Sequence, residues 1–452
     1  MKRLLPYVLP LMVFLPSFPL ADEGSLAPAA STPPPYPLYT PDPVEMQNTL
    51  ADADNIFQQI ARVRGMDARQ QPPIEFEDRE FFRRYFTKNF QEQIPPERAD
   101  ALVKASMALG FLDRPADIIR AKVDETVEGV KGIYDPETKI LYLADWIDPR
   151  KWEGVLAHEM VHALQDQVMD LKGYFNRMRS LPTDEQYAWS SVVEGEATAL
   201  AYDYQLKKTD LTKSFLDSED IAKSNRTEML ITAGRALVQG EKSPLGADFP
   251  GFAYAYGAAF LQKYIKEKGW EGMAELYAKP PQSTEQVMNP AKYFRKKERP
   301  YRIKIDGLEK GPLAGYRKIW QDVLGAYGLK NFLNLHLAKV RLSTQMKGWR
   351  GDVFQLYEEA GSEDRILLGY VILDGEDDAD GFYNDCRRAF EARYGLENAG
   401  DFDAVSFRIK NPRGLGACIE RRGNRVVLLD GVSPGQEEGL IKELLPPEKP
   451  AE

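Results

Sequence analysis

The amino-acid sequence predicts an α+β protein: a long, mostly helical part is followed by a smaller α+β unit. Apolar residues recur at helical spacing from about residue 44, and a single strand pattern at 127–144 interrupts them. Beyond residue 331, short alternating or continuous apolar runs predict several strands and two amphipathic helices. We therefore predict a mostly helical domain over 44–330 with a small β-hairpin or sheet, and a C-terminal α+β domain over 331–452.

Length and composition are those of a globular protein. The chain has 452 residues, of which 43% are hydrophobic and 28% are charged, so two or three domains with real cores are expected. The formal net charge of −10 disfavours a nucleic-acid partner. Beyond the N-terminus no apolar run reaches the ~20 residues that a membrane-spanning helix needs. We therefore expect no stable membrane span in the mature chain.

The N-terminus has the pattern of a secretory signal. Lys2 and Arg3 precede an apolar run at 4–15, and Ala21 is a small residue at a plausible cleavage point. We predict a signal peptide over 1–21, followed by a Pro/Ala-rich linker over 22–43. The alternative is an uncleaved N-terminal anchor. The prediction is a secreted or periplasmic protein.

The stretch 155–164 carries the chemistry. His158 and His162 are four residues apart, so on a helix both imidazoles lie on one face and can reach a single metal ion. Two neutral imidazoles suit zinc, and Glu159, directly after the first histidine, is placed to act as a general base on a zinc-activated water. Asp148 and Pro149 predict the start of this helix, and Gly173 predicts its C-cap after about residue 171.

The preceding strand pattern, at 127–144, contains the turn sequence 135–138 and predicts a β-hairpin directly before the metal-binding helix. Its edge could hold an extended peptide substrate by strand addition, or the hairpin could be purely structural.

A later helix offers two acids for a third metal ligand, and its start is predicted by a capping box at 183–186. Glu194 and Glu196 point to nearly opposite sides of that helix, so only one can face the histidines. Small residues flank Glu194, and Gly195 suggests a close approach to the metal-binding helix. We therefore predict Glu194 as the ligand and Glu196 as a supporting or structural acid. Thr198 and Asp166 are candidates for holding a ligand in place.

The residues 158–162 together with 194–197 resemble the gluzincin metallopeptidases, in which two histidines of one helix and a glutamate of a later helix bind zinc. The resemblance implies a zincin-like catalytic domain, one Zn²⁺ held by His158, His162 and Glu194, and Glu159 as the general base. The 31 residues between His162 and Glu194 exceed the separation typical of thermolysin-like members, which indicates a divergent branch.

Other residues have less specific patterns. Tyr254 or Tyr256 could donate to a developing oxyanion, although both also fit an aromatic core stripe. His336 fits an ordinary structural histidine. Cys386 and Cys418 could form a disulfide or be two separate small core residues.

These observations predict a secreted zinc-dependent metallopeptidase that hydrolyses peptide or protein substrates. One alternative is a non-catalytic zinc-containing surface or binding protein. Another is a zinc hydrolase that acts on cell-wall cross-links.

Overall fold

A computed structural model describes residues 42–217, 249–337, 346, 348–395, 401–410 and 414–446. The predicted signal peptide and nearly all of the predicted linker lie outside these residues. Up to residue 315 the helices and strands are α1 (Pro43–Arg64), β1 (Ile74–Glu77), α2 (Arg79–Gln93), α3 (Pro96–Ala108), α4 (Ile118–Gly129), β2 (Gly132–Asp135), β3 (Ile140–Ala144), α5 (Trp152–Met169), α6 (Leu171–Met178), α7 (Thr183–Thr209), α8 (Phe249–Lys268), α9 (Met273–Ala278), α10 (Thr284–Met288) and α11 (Pro290–Phe294).

The remaining described residues are rich in strands. They form β4 (Tyr316–Asp322), α12 (Gly325–Leu337), β5 (Trp349–Glu359), β6 (Arg365–Leu373), α13 (Glu376–Tyr394), β7 (Asp401–Phe402), β8 (Ser406–Lys410), β9 (Gly416–Arg422), β10 (Arg425–Val432) and α14 (Pro434–Leu444).

The predicted α+β class is confirmed. The predicted domain boundary at residue 330 falls inside α12. None of the described helices is both long and apolar enough to cross a membrane.

The predicted hairpin is confirmed as β2 and β3, which pair antiparallel with Ile133 opposite Tyr142. Strand β1 pairs parallel with the other side of β3. The sheet order β1-β3-β2 leaves β2 at an edge, and this edge lies against α5. A Cβ at Gly132 would lie 2.6 Å from Val155 Cγ1. Glycine at this position therefore allows the strand to approach α5 closely.

Helix α5, which carries His158 and His162, starts and ends differently from the prediction. Asp148 and Pro149 begin a 3₁₀ turn over Pro149–Lys151, and α5 follows directly from it. The predicted C-cap at Gly173 is wrong, because α5 ends at Met169 and its C-cap is Asp170, which has a φ of 51°. Aspartate tolerates this left-handed conformation better than most residues. The Asp170 carboxylate also accepts the N–H of Gly173 at 3.1 Å and so caps α6.

Helix α7 begins at Thr183 as predicted, but the capping box does not form. The N–H and the hydroxyl of Thr183 instead donate to the buried carboxylate of Asp322, at 2.9 and 2.5 Å. This residue lies at the end of β4, far along the chain, so no local pattern could indicate it. A tertiary contact replaces the local cap.

The close approach predicted at Gly195 exists, but the helix that approaches Gly195 is not α5. A Cβ at Gly195 would lie 2.5 Å from the carbonyl carbon of Gly257, and a Cβ at Gly257 would lie 2.4 Å from the carbonyl oxygen of Ser191. Helices α7 and α8 therefore cross at two facing glycines. Helix α5 packs on another side of α7, where Ala197 and Ala201 share a core with residues of α5.

The C-terminal sheet has the order β4-β5-β6-β10-β9-β8-β7, and every neighbouring pair is antiparallel. Side chains of β6 alternate between two cores, with Leu367 on one side and Leu368 on the other. Helices α12 and α13 cover the first face and α14 covers the second. Cys386 and Cys418 lie in these separate cores as free thiols, so the disulfide alternative is wrong.

Candidate metal centre

Helix α5 brings the two histidines of the motif together inside the protein. Their spacing of four residues places both rings on one face, and the Nε2 atoms of His158 and His162 lie 3.2 Å apart. Both side chains are almost completely buried. A pair of imidazoles is costly to bury without partners, so this arrangement calls for a third group that neutralises or binds them.

Helix α7 supplies that group. The Oε2 atom of Glu194 lies 3.3 Å from His158 Nε2 and 3.6 Å from His162 Nε2. One ligand atom from each of the three residues falls within 4.8 Å of the others, and all three residues are buried. This cluster, formed by the three predicted ligands, could hold a metal ion. The Oε1 atom of Glu194 has no hydrogen-bond partner within the described part of the chain.

The three groups are in different charge states. Burial lowers the pKa of His158 to about 4, which keeps its imidazole neutral. Burial opposes the charged forms of His162 and Glu194 as well, but their mutual attraction outweighs it. The pKa of His162 is raised to about 9 and that of Glu194 is lowered to about 2. A cation that binds here therefore meets an ionised carboxylate and displaces one imidazolium proton.

The edge strand β2 holds one side-chain oxygen of Glu159. Its Oε2 atom accepts the backbone N–H of Tyr134, in β2, at 2.8 Å. Its Oε1 atom is buried and has no hydrogen-bond partner among the described residues. Burial raises the pKa of this carboxyl group to about 7. One oxygen is thus fixed, the other is free to accept a proton, and the pKa lies where a general base is most effective.

The second acid of α7 has a supporting role. Glu196 makes an ion pair with Arg64, from α1, at 2.6 Å, and it accepts the side-chain amide of Gln165 at 2.9 Å. Gln165 in turn lies 2.8 Å from Nδ1 of His162. The prediction had Glu196 as a supporting or structural acid and did not include Gln165 or Arg64. The one available signal was that Gln165 follows His162 by three residues and so lies on the same helical face.

Two residues predicted to hold ligands do not do so. The hydroxyl of Thr198 has no hydrogen-bond partner in the described structure. Asp166 accepts the hydroxyl of Tyr134 at 2.8 Å and forms an ion pair with Lys139 at 2.5 Å. It therefore fastens the hairpin to α5 rather than orienting an imidazole.

The structure separates the two candidate tyrosines of α8. The ring of Tyr254 lies beside that of His158, with 5.7 Å between centroids. Tyr256 instead stacks on Phe252 at 4.9 Å, within an aromatic core. Of the two, only Tyr254 borders the cluster. His336 has the structural role expected for it, because its ring packs on Phe332 and its Nε2 lies 3.3 Å from the carbonyl oxygen of Leu109.

A cleft of about 130 Å³ leads to the cluster. Its walls are α2, the hairpin turn after β2, and α6, and its floor includes His162 and Glu194. Polar side chains on the walls include Asn89 and Asn176. The cleft therefore connects His162 and Glu194 with the hairpin turn and α6.

The residues present fit a metal ion that takes nitrogen and oxygen ligands. Two imidazole nitrogens and one carboxylate oxygen form a typical ligand set for catalytic zinc, which keeps a further position open. The buried Glu194 Oε1 and Glu159 Oε1 atoms have no hydrogen-bond partner among the described residues, and burial of such atoms is costly unless a cation or ligand compensates for it.

Comparison with known proteins does not reach this site. Residues 316–440 match a family model described as "Domain of unknown function (DUF8575)". This match covers the C-terminal sheet with its helices and contains none of the residues of the metal centre. No curated protein and no solved structure matches the chain.

Proposed function

We propose that this chain is a secreted or periplasmic zinc-dependent metallopeptidase of gluzincin type. The observation that supports it most is the position of Glu159 beside the cluster of His158, His162 and Glu194, with one carboxylate oxygen fixed and one free. A purely structural zinc site does not need a buried carboxylate beside the metal with one oxygen left available to accept a proton. Export is supported by the N-terminal sequence pattern alone.

His158, His162 and Glu194 would hold the metal. Zinc in such a site supplies a Lewis acid that lowers the pKa of water towards ~7 and polarises a carbonyl group. The chain's own residues do the rest. The hydrogen bond from Tyr134 N–H fixes Glu159 Oε2, so that Oε1 takes one proton of the water whose oxygen bonds to the carbonyl carbon of the substrate. Oε1 then gives this proton to the nitrogen of the leaving amine as the C–N bond breaks. The products are an amine and a carboxylate, whose remaining proton passes to solvent.

The direct test is digestion of a mixed peptide library by the zinc-loaded protein, with the cleavage sites read by mass spectrometry. We expect cleavage at internal peptide bonds that stops on removal of zinc. Cleavage of purified cell-wall cross-links alone would support the cell-wall alternative. Absence of hydrolysis of both substrates by fully zinc-loaded protein would contradict the proposal and favour a non-catalytic binding protein.

Tyr254 is expected to stabilise the developing oxyanion. In Tyr254→Phe we expect kcat to fall by roughly 10–1,000-fold, because one preorganised donor is lost. The matched control is Tyr256→Phe, on the same helix but in the aromatic core, which should leave kcat nearly unchanged. Steady-state kinetics on a single cleaved peptide distinguishes the two. Equal rates for Tyr254→Phe and the wild type would remove Tyr254 from the mechanism.

A further inference from the structure

We infer that Gln165, Glu196 and Arg64 form a positioning chain that fixes the tautomer and orientation of His162 for metal binding. The chain runs from α1 through α7 to α5 and consists of three contacts between 2.6 and 2.9 Å. The inference rests on the proposed metal site but not on hydrolytic activity.

The orientation of the Gln165 amide follows from its neighbours. Its Nε2 atom donates to the carbonyl oxygen of Val193 and to a carboxylate oxygen of Glu196, both at 2.9 Å. Both partners only accept hydrogen bonds, so the amide nitrogen must face them. The amide oxygen is therefore the atom that lies 2.8 Å from His162 Nδ1.

This orientation determines the state of the imidazole. An amide oxygen cannot donate, so Nδ1 of His162 must carry a hydrogen and donate it to Gln165. The lone pair that binds a metal is then on Nε2, the atom that faces His158 and Glu194. A neutral amide is an unusual choice here, because metal-bound histidines often donate to a carboxylate or a backbone carbonyl.

Arg64 makes this arrangement stable. The side chain of Glu196 is 2% exposed and that of Arg64 is 10% exposed, so each charge depends on the other for compensation. Arg64 is itself held by Trp270, since its Nη1 donates to the Trp270 carbonyl at 3.2 Å and its guanidinium lies 5.0 Å from the indole centroid. Without the arginine, Glu196 would be a buried charge with no compensating cation. Its carboxylate would then no longer be held in the position from which it accepts the Gln165 amide.

The consequence is that α1, the first described helix, supports the position of His162 although it contributes no metal ligand. Helix α1 packs on α5 and α7 through apolar side chains such as Ile56, Phe57 and Ile60. Its last residue is Arg64. Through Glu196 and Gln165, this arginine is linked to His162.

The test measures metal binding without any substrate. Zn²⁺ affinity is measured by competition with a chromophoric chelator, and Co²⁺ binding by its visible absorption spectrum. In Gln165→Met, which keeps the length of the side chain but has no amide, we expect Zn²⁺ affinity to fall about 10–100-fold. The Co²⁺ spectrum should change as well. In Arg64→Met we expect a fall of about tenfold, whereas Arg62→Met, on an exposed residue of the same helix, should bind like the wild type.

A compensating variant separates positioning from general destabilisation. In Arg64→Met combined with Glu196→Gln, the neutral amide introduced on α7 can still accept from Gln165 through its carbonyl oxygen and needs no cation. Most of the lost Zn²⁺ affinity should therefore return, and Arg64→Lys should be intermediate. If Gln165→Met binds Zn²⁺ and Co²⁺ as the wild type does, the inference is overturned. It is also overturned if the double variant binds Zn²⁺ no better than Arg64→Met. Normal metal binding by a protein that hydrolyses nothing would refute the proposed function instead.

Discussion

Glu159→Gln is expected to lose about 10²–10⁴-fold in hydrolytic rate while retaining its metal ion. Glutamine has nearly the same shape, so its side-chain oxygen can still accept the N–H of Tyr134, as Glu159 does at 2.8 Å. The amide nitrogen then occupies the place of the free carboxylate oxygen and cannot accept a proton from water. The change removes the base and leaves His158, His162 and Glu194 intact.

Metal content and peptide hydrolysis must be measured on the same preparation of Glu159→Gln. A variant that holds one zinc ion but is inactive supports the role of the base. Full activity in a zinc-loaded Glu159→Gln protein would show that another group takes the proton. A matched control is Glu153→Gln, also on α5, where the carboxylate accepts the Tyr204 hydroxyl at 2.7 Å, away from the cluster.

Metal affinity is expected to weaken as the pH falls. Burial alone would lower the pKa of His162, but the Glu194 carboxylate at 3.6 Å raises it to about 9. Between pH 6 and 8 the metal-free site therefore carries a proton that the cation must displace. Apparent Zn²⁺ affinity should fall by at least about tenfold for each pH unit in this range, since the proton on His162 alone gives that slope. Above the pKa the dependence should flatten.

Isothermal titration calorimetry in buffers of different ionisation enthalpy counts the protons released. We expect about one proton per Zn²⁺ from His162 at pH 7. Glu159, with a pKa raised to about 7, adds to the release when a cation binds beside it. The Glu159→Gln variant removes that contribution and should still release the proton of His162. A Zn²⁺ affinity that does not change between pH 6 and 8 would contradict the assigned charge states.

The centre of the site could be predicted from the sequence because its geometry is largely local. A spacing of four residues on a helix places His158 and His162 on one face without any knowledge of the tertiary structure. The same periodicity separates Glu194 from Glu196 and leaves one of them for the cluster. The small residues around Glu194 then indicated which acid lies beside the histidines, since Ala197 and Ala201 do pack with α5.

The supporting contacts could not be predicted, because each joins segments that are distant in sequence. Arg64 reaches Glu196 across 132 positions, and Asp322 caps α7 from 139 positions away. No periodicity or motif encodes such pairs. The interpretation of Gly195 failed for the same reason. A glycine in a helix indicates a close neighbour, but its partner, Gly257, can be identified only from the tertiary structure.

In the C-terminal sheet, too, some strands could be predicted from the sequence and others could not. The apolar runs of β5, β6 and β10 are long and buried, which is why several strands could be predicted beyond residue 331. Strand β4 was missed because its burial pattern is irregular: Trp320 is buried but Arg317 and Gln321 are exposed. The pairing of β4 with β5 also contains an irregularity between Lys318 and Trp320, which breaks the simple alternation that a strand prediction needs.

The most direct test of the metal centre is the metal content of purified protein after loading with Zn²⁺ and desalting, measured by plasma mass spectrometry. The wild type and His336→Ala, which changes the one histidine outside the motif, should each retain about one ion per chain. His162→Ala and Glu194→Ala should retain close to none. A full equivalent of zinc in Glu194→Ala and His162→Ala, or none in the wild type, would contradict the proposal that two helices together bind one catalytic metal ion.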